Sequence, residues 1–415
     1  MIPEVREAFL VSRRRAVPSW NGYTYLQILR CLLSGHVVSG PDLDYFRLLI
    51  RHIFPDRRVV LCGSGTFALE VALREVDVNP GDEVIVPTFC CSSIVPPILA
   101  CGAVPVFADC GEDLNLAPDS VEAMLTNKTK AIVVAHLYGN PAGIQQIADL
   151  ADATGIRVID DAAQALGARV DLQLVGSFGH AGILSFGSEK VVAGMGGGAL
   201  LLPQNTNDSI EMELPVPSSA RAVQKFLSTL LKWRWRRFRL GELLFSPTLP
   251  DPEALPQYRK EALANLDAAI AATVLKGLDD IVTARRARVR AYQELLGSDE
   301  RLELITHQPG SACLSQVVRI FPRNRQDLAA RVVDTLGNAG YEIQGSYIPI
   351  HLLAPFRQFT RRRLNYAENV WPDLVELPCE PHVSLDHVER IAAILKSNIS
   401  GDAGCARGLP SPEPQ

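Results

Sequence analysis

The chain has 415 residues, of which 47% are hydrophobic and 21% charged, and its formal net charge is −5. This composition predicts a globular protein with one large and one smaller domain, and the acidic balance argues against nucleic-acid binding. The nine cysteines are odd in number and form no Cys-x-x-Cys pair, which argues against disulfides or zinc and predicts a reducing compartment. The first 15 residues lack the apolar core of a signal peptide, and no uncharged apolar run reaches the roughly 18 residues of a membrane span, so we expect a cytoplasmic protein.

The first 57 residues predict a helical arm ahead of the main fold. A turn at 39–41 precedes the stretch 42–54, in which apolar residues recur at helical spacing among charged ones. We expect the arm to pack on the core or on a partner subunit, because its apolar residues need a surface to cover them. These residues are Phe46, Leu48, Leu49 and Ile53.

A repeating unit begins at residue 58, where short apolar runs alternate with helical patterns for about 150 residues. Seven strands are predicted, at 59–62, 83–87, 104–107, 130–135, 157–159, 182–184 and 199–202. Such alternation is typical of a doubly wound α/β fold with a mainly parallel sheet between helices. We therefore predict a large domain over residues 58–250, with its ligand beyond the carboxyl ends of the strands.

After residue 203 the alternation stops, and prolines punctuate an irregular connector in which residues 221–239 are basic and helical in pattern. Interleaved Arg and Trp side chains there could grip a sugar nucleotide or rest on an anionic membrane surface. They could equally form a solvated helix face with the tryptophans packed inward. Further helical and strand patterns predict a smaller α+β domain over 251–400, and the tail 401–415 is predicted to be disordered.

Polar side chains stand where two of the predicted strands end. Asp160 and Asp161 end the run that begins at Arg157, and Lys190 lies beyond the run 182–184. Adjacent strand residues point to opposite faces, so only one carboxylate can face a ligand. We predict that it is Asp161; the alternative is a solvated helix cap. A lysine can act as a Schiff-base nucleophile and an aspartate can hold a cationic ring nitrogen, so we predict Lys190 and Asp161 as catalytic residues of a pyridoxal 5′-phosphate (PLP) site without a metal.

The turn 63–66 lies between a predicted strand and a predicted helix. Its glycines let the backbone approach a ligand, and a helix N-terminus offers free N–H groups and partial positive charge. The turn could bind a phosphate through Gly65 and Thr66, with Ser185 donating from a neighbouring strand end, or it could be an ordinary capped turn. Gln164, which follows Asp161 closely, could reach the ring hydroxyl of the cofactor.

Seven landmarks in order resemble the DegT/DnrJ/StrS family of PLP-dependent sugar aminotransferases, which have PLP fold type I. They lie at 64–69, 80–87, 102–109, 136–139, 161–165, 185–190 and 196–197. The resemblance covers about residues 40–400 and implies that Lys190 forms the Schiff base with PLP. It implies that Asp161 pairs with the pyridine nitrogen and that Gln164 lies near the ring hydroxyl. It also implies phosphate contacts from Gly65, Thr66 and Ser185.

Three features depart from the family pattern. An aromatic residue usually stacks on the cofactor ring shortly after the second strand; Phe89 is near, and the aligned position is Cys91. The family's neighbour-subunit asparagine is missing from the segment 257–261, where Arg259 or Lys260 could approach the partner's cofactor phosphate instead. The basic connector is the third departure.

The resemblance implies transamination of a keto-sugar, attached to a nucleoside diphosphate, with glutamate as amino donor and with active sites near the interface of a homodimer. His351 belongs to the resembling C-terminal pattern and is either a substrate contact or a packed histidine. One alternative is a PLP-dependent lyase or dehydratase on the same scaffold, although dehydrating relatives replace the lysine by histidine. Another is a non-catalytic regulator that kept the fold, which the departures would favour.

Overall fold

The computed structural model describes residues 20–206, 214–236, 254–321, 328–341 and 343–400. Three predicted segments lie wholly or partly outside these ranges: the first 19 residues of the arm, residues 237–239 of the basic stretch, and the tail 401–415. None of the described helices is long and apolar enough to cross a membrane.

The arm contains the helices α1 (Gly22–Leu33) and α2 (Pro41–Ile53), and the second confirms the helix predicted over 42–54. Proline in the first turn of α2 suits a helix start, because the N–H that it lacks would have no partner there. Phe46 is fully buried against Phe186 of the same chain, with ring centroids 4.9 Å apart, whereas Leu48 stays 61% exposed. The arm therefore packs on its own core through one face and leaves another face uncovered.

A seven-stranded sheet forms the centre of the molecule, as predicted. In chain order the strands are β1 (Arg57–Cys62), β2 (Glu83–Pro87), β3 (Val104–Ala108), β4 (Thr129–Ala135), β5 (Arg157–Asp161), the separate hairpin strands β6 (Arg169–Val170) and β7 (Gln173–Leu174), β8 (Ala181–Ser185) and β9 (Gly198–Pro203). The spatial order is β1-β9-β8-β5-β4-β2-β3, and the neighbouring pairs are parallel except for the two that β9 makes. The carboxyl ends of six strands therefore meet at one edge.

Both faces of the sheet are buried, which explains why its strands read as continuous apolar runs. In β1, Val59 and Leu61 join one hydrophobic cluster, while Val60 and Cys62 join the other. The helices that follow the first strands are α3 (Gly65–Glu75), α4 (Val95–Ala100), α5 (Pro118–Glu122) and α6 (Ile144–Thr154). The alternation of strand and helix thus produces the predicted layers, with the strand ends left open for a site.

The connector contributes helix α7 (Ser219–Arg236), which matches the helical pattern predicted from residue 221. Two helices follow the connector, α8 (Asn265–Leu275) and α9 (Leu278–Leu296), and they separate at Gly277. Helix α8 is buried along almost its whole length because it packs between the arm and the large sheet. The domain boundary at residue 251 stays a prediction. Helix α8 lies beyond that boundary in the chain, yet it shares a hydrophobic core with the large sheet.

A four-stranded antiparallel sheet follows, in the order β10-β11-β13-β12. Its strands are β10 (Leu302–Leu304), β11 (Ser315–Ile320), β12 (Gln344–Gly345) and β13 (Leu374–Pro378). Helices α10 (Leu328–Asn338), α11 (Asn365–Val370) and α12 (Leu385–Ser400) accompany it. This arrangement confirms the α+β character predicted for the C-terminal part.

The outer edge of β1 is covered by chain that comes about 200 residues later. The backbone N–H of Gly63 donates to the carbonyl of Glu261 at 2.7 Å, and that of Leu263 donates to the carbonyl of Leu61 at 3.3 Å. Cys62 and Ala262 form an antiparallel bridge between these bonds. The carboxyl end of β1 is thus flanked by β9 on one side and by residues 261–263 on the other.

Candidate active site

The carboxyl ends of β1, β5 and β8 gather at one edge of the large sheet. Gly198, at the start of β9, pairs in register with Cys62 of β1 on one side and with Ser185 of β8 on the other. Asp161 ends β5, which lies directly beside β8. Residues that are far apart in the chain therefore meet here, as the strand pattern predicted.

Glycines allow the turn after β1 to lie against β8 and β9. A Cβ at Gly65 would stand 3.0 Å from the Cβ of Ser185, and a Cβ at Gly198 would stand 2.5 Å from the backbone nitrogen of Gly65. Helix α3 begins at Gly65 and Thr66 behind its N-cap Ser64, and the first N–H groups of a helix have no partner in a preceding turn. The turn thus brings N–H donors beside the Ser185 hydroxyl, an arrangement that suits a phosphate group.

The side chain of Asp160 points into the interior of the protein. It is fully buried; Oδ1 lies 2.7 Å from Nε2 of His136, while Oδ2 accepts the backbone N–H groups of Gly176 at 2.7 Å and Phe178 at 2.9 Å. The Nδ1 atom of His136 accepts the N–H of Ala142 at 2.9 Å, so Nε2 carries the proton and donates to Asp160. This carboxylate is therefore used to join β5 to β4 and to the segment before β8.

Asp161 is half-buried on the other face, where it accepts the backbone N–H of Ala163 at 3.0 Å. Burial raises the pKa of its carboxyl, although the Ala163 N–H and the positive charge of Lys190 oppose that rise. The thiol of Cys90 shares these surroundings, and its burial holds its pKa well above the usual range. Asp161 and the half-buried Lys190 thus act on each other across the site, and no group of three metal-ligating side chains occurs in the described ranges.

The amide of Gln164 is fixed between the two sheets. Its Oε1 accepts the backbone N–H of Tyr138 at 3.1 Å, and its Nε2 donates to the hydroxyl of Tyr347 at 3.1 Å. Tyr347 comes from the segment that follows β12, and its ring stacks on that of Tyr138 with centroids 6.0 Å apart. Tyr347 could not be predicted from the sequence, because a tyrosine 183 residues from its partner carries no distinguishing pattern.

Phe89 and Cys91 are placed differently from each other. Phe89 has no exposed surface and meets the ring of Tyr347 edge-on at 6.3 Å, so it does not border open space in this arrangement. Cys91 is exposed, with its sulfur 2.9 Å from the hydroxyl oxygen of Ser93. Stacking of Phe89 on the cofactor ring stays a prediction.

His351 lies against β2 rather than in open space, with 3% of its surface exposed. Its Nδ1 is hydrogen-bonded to the hydroxyl of Thr88, and its Nε2 lies 3.3 Å from a carboxylate oxygen of Glu368. Burial lowers the pKa of His351, although the neighbouring Glu368 opposes that change. Both ring nitrogens have partners within the chain, so the geometry favours the packed histidine over the substrate contact.

The basic segment 257–261 contacts its own chain. Tyr258 donates to the fully buried carboxylate of Glu70 on α3, and the Nζ atom of Lys260 lies 2.9 Å from the same carboxylate. Arg259 donates from Nη2 to the backbone carbonyl of Gly63 at 3.2 Å. Arg259 therefore stands beside the glycine turn of its own chain, and Lys260 stands beside the helix that follows this turn.

These residues fit PLP. Because Gly65 and Gly198 carry no side chain, the turn lies close against β8 and β9, where the first N–H groups of α3 and the Ser185 hydroxyl match a phosphate. The carboxyl of Asp161 and the amine of Lys190 interact electrostatically at the same edge. Burial disfavours the charge of Asp161, so a cationic ring nitrogen would stabilise that charge further, beyond the Ala163 N–H and Lys190.

The chain is similar to known proteins over most of its length. GDP-perosamine synthase of Vibrio cholerae is 27% identical over 392 residues, which are 92% of this chain and 97% of that protein. UDP-N-acetyl-3-dehydro-alpha-D-glucosamine 3-aminotransferase of Acidithiobacillus ferrooxidans is 29% identical, over 82% and 84% of the two chains. The solved structure of Streptomyces venezuelae DesV with a ketimine intermediate is 26% identical, has a TM-score of 0.71 and is matched over 91% of this chain and 94% of that one.

The solved structure of Bacillus subtilis NtdA with its bound cofactor PMP shares the fold at a TM-score of 0.71 and 22% identity, over 92% of this chain and 83% of that one. These likenesses confirm the predicted PLP fold type I. The sequence model of the DegT/DnrJ/EryC1/StrS aminotransferase family matches residues 24–396. The chain therefore belongs to the DegT/DnrJ/EryC1/StrS aminotransferase family and is a PLP-dependent aminotransferase.

Proposed function

We propose that this enzyme transfers an amino group from glutamate to a keto-sugar that is attached to a nucleoside diphosphate. The observation that carries the proposal is that Lys190 and Asp161 influence each other electrostatically at the edge where the glycine turn and Ser185 lie. Relatives that span nearly the whole chain are named as a GDP-sugar synthase and as UDP- and dTDP-sugar aminotransferases, which supports a nucleotide-linked sugar as substrate.

The chain's own residues then have separate tasks. Bound PLP supplies an electron sink that stabilises negative charge on the carbon that loses a proton. Lys190 would hold the cofactor covalently between turnovers and, once released, carry a proton to and from that carbon as general base and acid. Asp161 would hold the ring nitrogen protonated, and its half-buried position would strengthen the pairing. Gly65, Thr66 and Ser185 would hold the phosphate.

The surroundings of the Asp161 carboxyl favour a catalytic site over a vestigial one. The Asp161 carboxyl has one backbone N–H donor and the charge of Lys190, which leaves room for a ligand. A non-catalytic regulator that kept the fold would have no need of this pair. Lys190 itself argues against a dehydratase, as the resemblance implied.

The test is a screen of purified protein, loaded with PLP, against keto-sugar nucleotides with GDP, UDP or dTDP carriers. We expect glutamate-dependent formation of an amino sugar with at least one carrier and none with the Lys190→Ala variant. Visible absorbance from the lysine-bound cofactor should accompany activity. Loss of water from the sugar without amination would support the lyase reading, and absence of both absorbance and turnover would support the regulator.

We also propose that the enzyme is a cytoplasmic homodimer. The eight described cysteines are free thiols, which suits a reducing compartment.

The dimer is suggested by exposed leucines on the arm. Helix α1 exposes Leu26, Leu29 and Leu33 by 58%, 51% and 80% at helical spacing, and Leu48 of α2 is exposed as well. A second copy would cover this face. Sedimentation of the wild type against the Leu29→Glu, Leu33→Glu double variant tests the idea: we expect a dimer and a monomer, and an active wild-type monomer would refute it.

A further inference from the structure

We propose that Tyr347 is a positioning residue of the cofactor site: its hydroxyl orients the Gln164 amide so that one amide N–H is directed at the ring oxygen of bound PLP. The inference rests on the proposed function, because it assumes that PLP occupies this edge of the sheet. It adds a residue of the C-terminal sheet region to a site otherwise built at the ends of the large sheet.

The contacts of Gln164 decide which way its amide points. The backbone N–H of Tyr138 can only donate, so the atom that it meets at 3.1 Å is the amide oxygen. A flipped amide would set two donors against each other at a side chain that is only 8% exposed. The NH₂ group is therefore the end that faces Tyr347.

An NH₂ group has two hydrogens, and Tyr347 accepts one of them. The distance from Nε2 to the Tyr347 hydroxyl oxygen is 3.1 Å. The second hydrogen lies in the amide plane, roughly 120° away from the first, so fixing one N–H bond also fixes the direction of the other. Gln164 follows Asp161 by three residues at the end of β5, on the edge where the cofactor ring is expected.

Tyr347 can orient the Gln164 amide because contacts on several sides fix the position of the tyrosine itself. Its ring stacks on Tyr138 at an interplanar angle of 29° and meets Phe89 at 84°. The hydroxyl of the preceding Ser346 is hydrogen-bonded to the hydroxyl of Tyr138. A few residues later, the backbone N–H of Ile350 donates to the carbonyl of Thr88 at 2.6 Å. The segment 346–350 is thus fastened to the ends of two strands of the large sheet.

Donation to the ring oxygen should alter how the cofactor titrates. A hydrogen bond to an ionised oxygen stabilises its charge and makes it a weaker acceptor. That ring oxygen also accepts the proton on the nitrogen that joins Lys190 to the cofactor. If the amide no longer donates, the oxygen holds that proton more strongly, and the pKa of the joining nitrogen rises.

The experiment is a pH titration of the visible absorbance of PLP-loaded protein for the wild type, Tyr347→Phe, Gln164→Leu and the double variant. We expect the midpoint to rise by about half a pH unit in Tyr347→Phe, which keeps the stacked ring, and by about one unit in Gln164→Leu. The double variant should match Gln164→Leu, because Tyr347 acts through the amide. Tyr292→Phe is the matched control. It removes a hydroxyl that is hydrogen-bonded to the Pro378 carbonyl in the hydrophobic core of the C-terminal sheet, so it should leave the midpoint unchanged.

A Tyr347→Phe midpoint equal to that of the wild type would overturn the inference, as would a double variant whose shift is the sum of the two single shifts. Gln164→Glu gives an independent check that keeps Tyr347 intact. The glutamate side chain can still accept the backbone N–H of Tyr138 but cannot donate to the ring oxygen, so we expect a raised titration midpoint. An unchanged midpoint in this variant would also overturn the inference. A wild type that shows no visible absorbance with PLP would refute the proposed function itself.

Discussion

Asp160 and Asp161 are neighbours in β5, yet their surroundings have little in common. Asp160 has no exposed surface and is in contact with one imidazole and two backbone N–H groups. Asp161 is half-buried and accepts one backbone N–H. A carboxylate whose acceptor positions are filled by its own chain can stabilise only the fold. One with free acceptor positions, next to a lysine, can hold a ligand.

The difference follows from strand geometry, because successive side chains of a strand point to opposite faces. One face of β5 meets His136 at the end of β4, and the other meets the region of Lys190. In the proposed function, a single strand thus contributes to the rigidity of the sheet through Asp160 and to the chemistry at its edge through Asp161. Variants that separate activity from stability can test this division of labour.

The strongest test removes the lysine. Lys190→Ala should lower turnover by about 10³-fold or more, since in the proposed function this residue is both the covalent attachment and the general base. The folding stability should hardly change. Kinetics with a keto-sugar nucleotide, together with peptide mapping after borohydride reduction, would measure both parts. Lys276→Ala, which removes a surface ammonium lying over the rings of Tyr23 and Tyr45, is the control, and a borohydride label on any lysine other than Lys190 would contradict the assignment.

Asp161→Asn should impair chemistry and spare the fold. Losing the charge next to the ring nitrogen should lower kcat by about 10²–10³-fold, because preorganised electrostatic contributions of this kind are worth roughly 3–4 kcal/mol. Urea unfolding of the apoprotein should give a free energy close to that of the wild type. If the variant kept full activity, the chemical role of this face of β5 would be wrong.

Asp160→Asn should do the reverse. The amide cannot satisfy His136 and two backbone N–H groups in a fully buried place, so we expect a loss of about 3 kcal/mol in the free energy of unfolding. At a temperature where the variant is folded, kcat should stay within a few fold of the wild type. A variant as stable as the wild type but without activity would reverse the roles of the two carboxylates.

A smaller effect concerns the pH dependence of folding stability, to which the buried residue His307 contributes. Burial lowers the pKa of His307 to about 4, and its Nε2 lies 3.1 Å from the carbonyl oxygen of Ser315. Between about pH 6.5 and 4 the unfolded chain binds a proton that the folded chain refuses, so the stability that is present at neutral pH is lost as the pH falls. We expect a loss of roughly 2 kcal/mol across this window.

Urea unfolding at pH 7 and pH 4.5 would measure this loss, with His307→Gln as the comparison. The glutamine variant should lose less stability than the wild type over the same interval. Equal losses in the two proteins would show that His307 is not the titrating group.

Much of this architecture could be predicted because it is local. The β5 stretch shows its strand, its end and its two carboxylates in five residues, and alternation means that only one of the two can face a ligand. The Ala162-Ala163-Gln164 stretch that follows it is what favours Asp161. Lys190 follows β8 by five residues, so its position at the same edge also follows from the pattern. These inferences need only the strand period and the rule that parallel strands end together.

The remainder depends on partners that are distant in the chain. His351 could not be identified as a packed histidine, since Thr88 lies 263 residues earlier. The burial of Phe89 and the contact of Tyr347 with Gln164 likewise depend on how the segment after β12 meets the large sheet. No periodicity in the sequence encodes that meeting, which is set by tertiary packing.

The cover of β1 by residues 261–263 has a consequence for synthesis on the ribosome. The chain must grow by about 200 residues after Cys62 before Ala262 can pair with it, which takes roughly 10–40 s at usual elongation rates. During that time the edge of β1 and the glycine turn behind it have no cover from this segment, and an open strand edge invites pairing with other chains. The candidate site is therefore completed late in synthesis, and the open edge of β1 is available to chaperones until then.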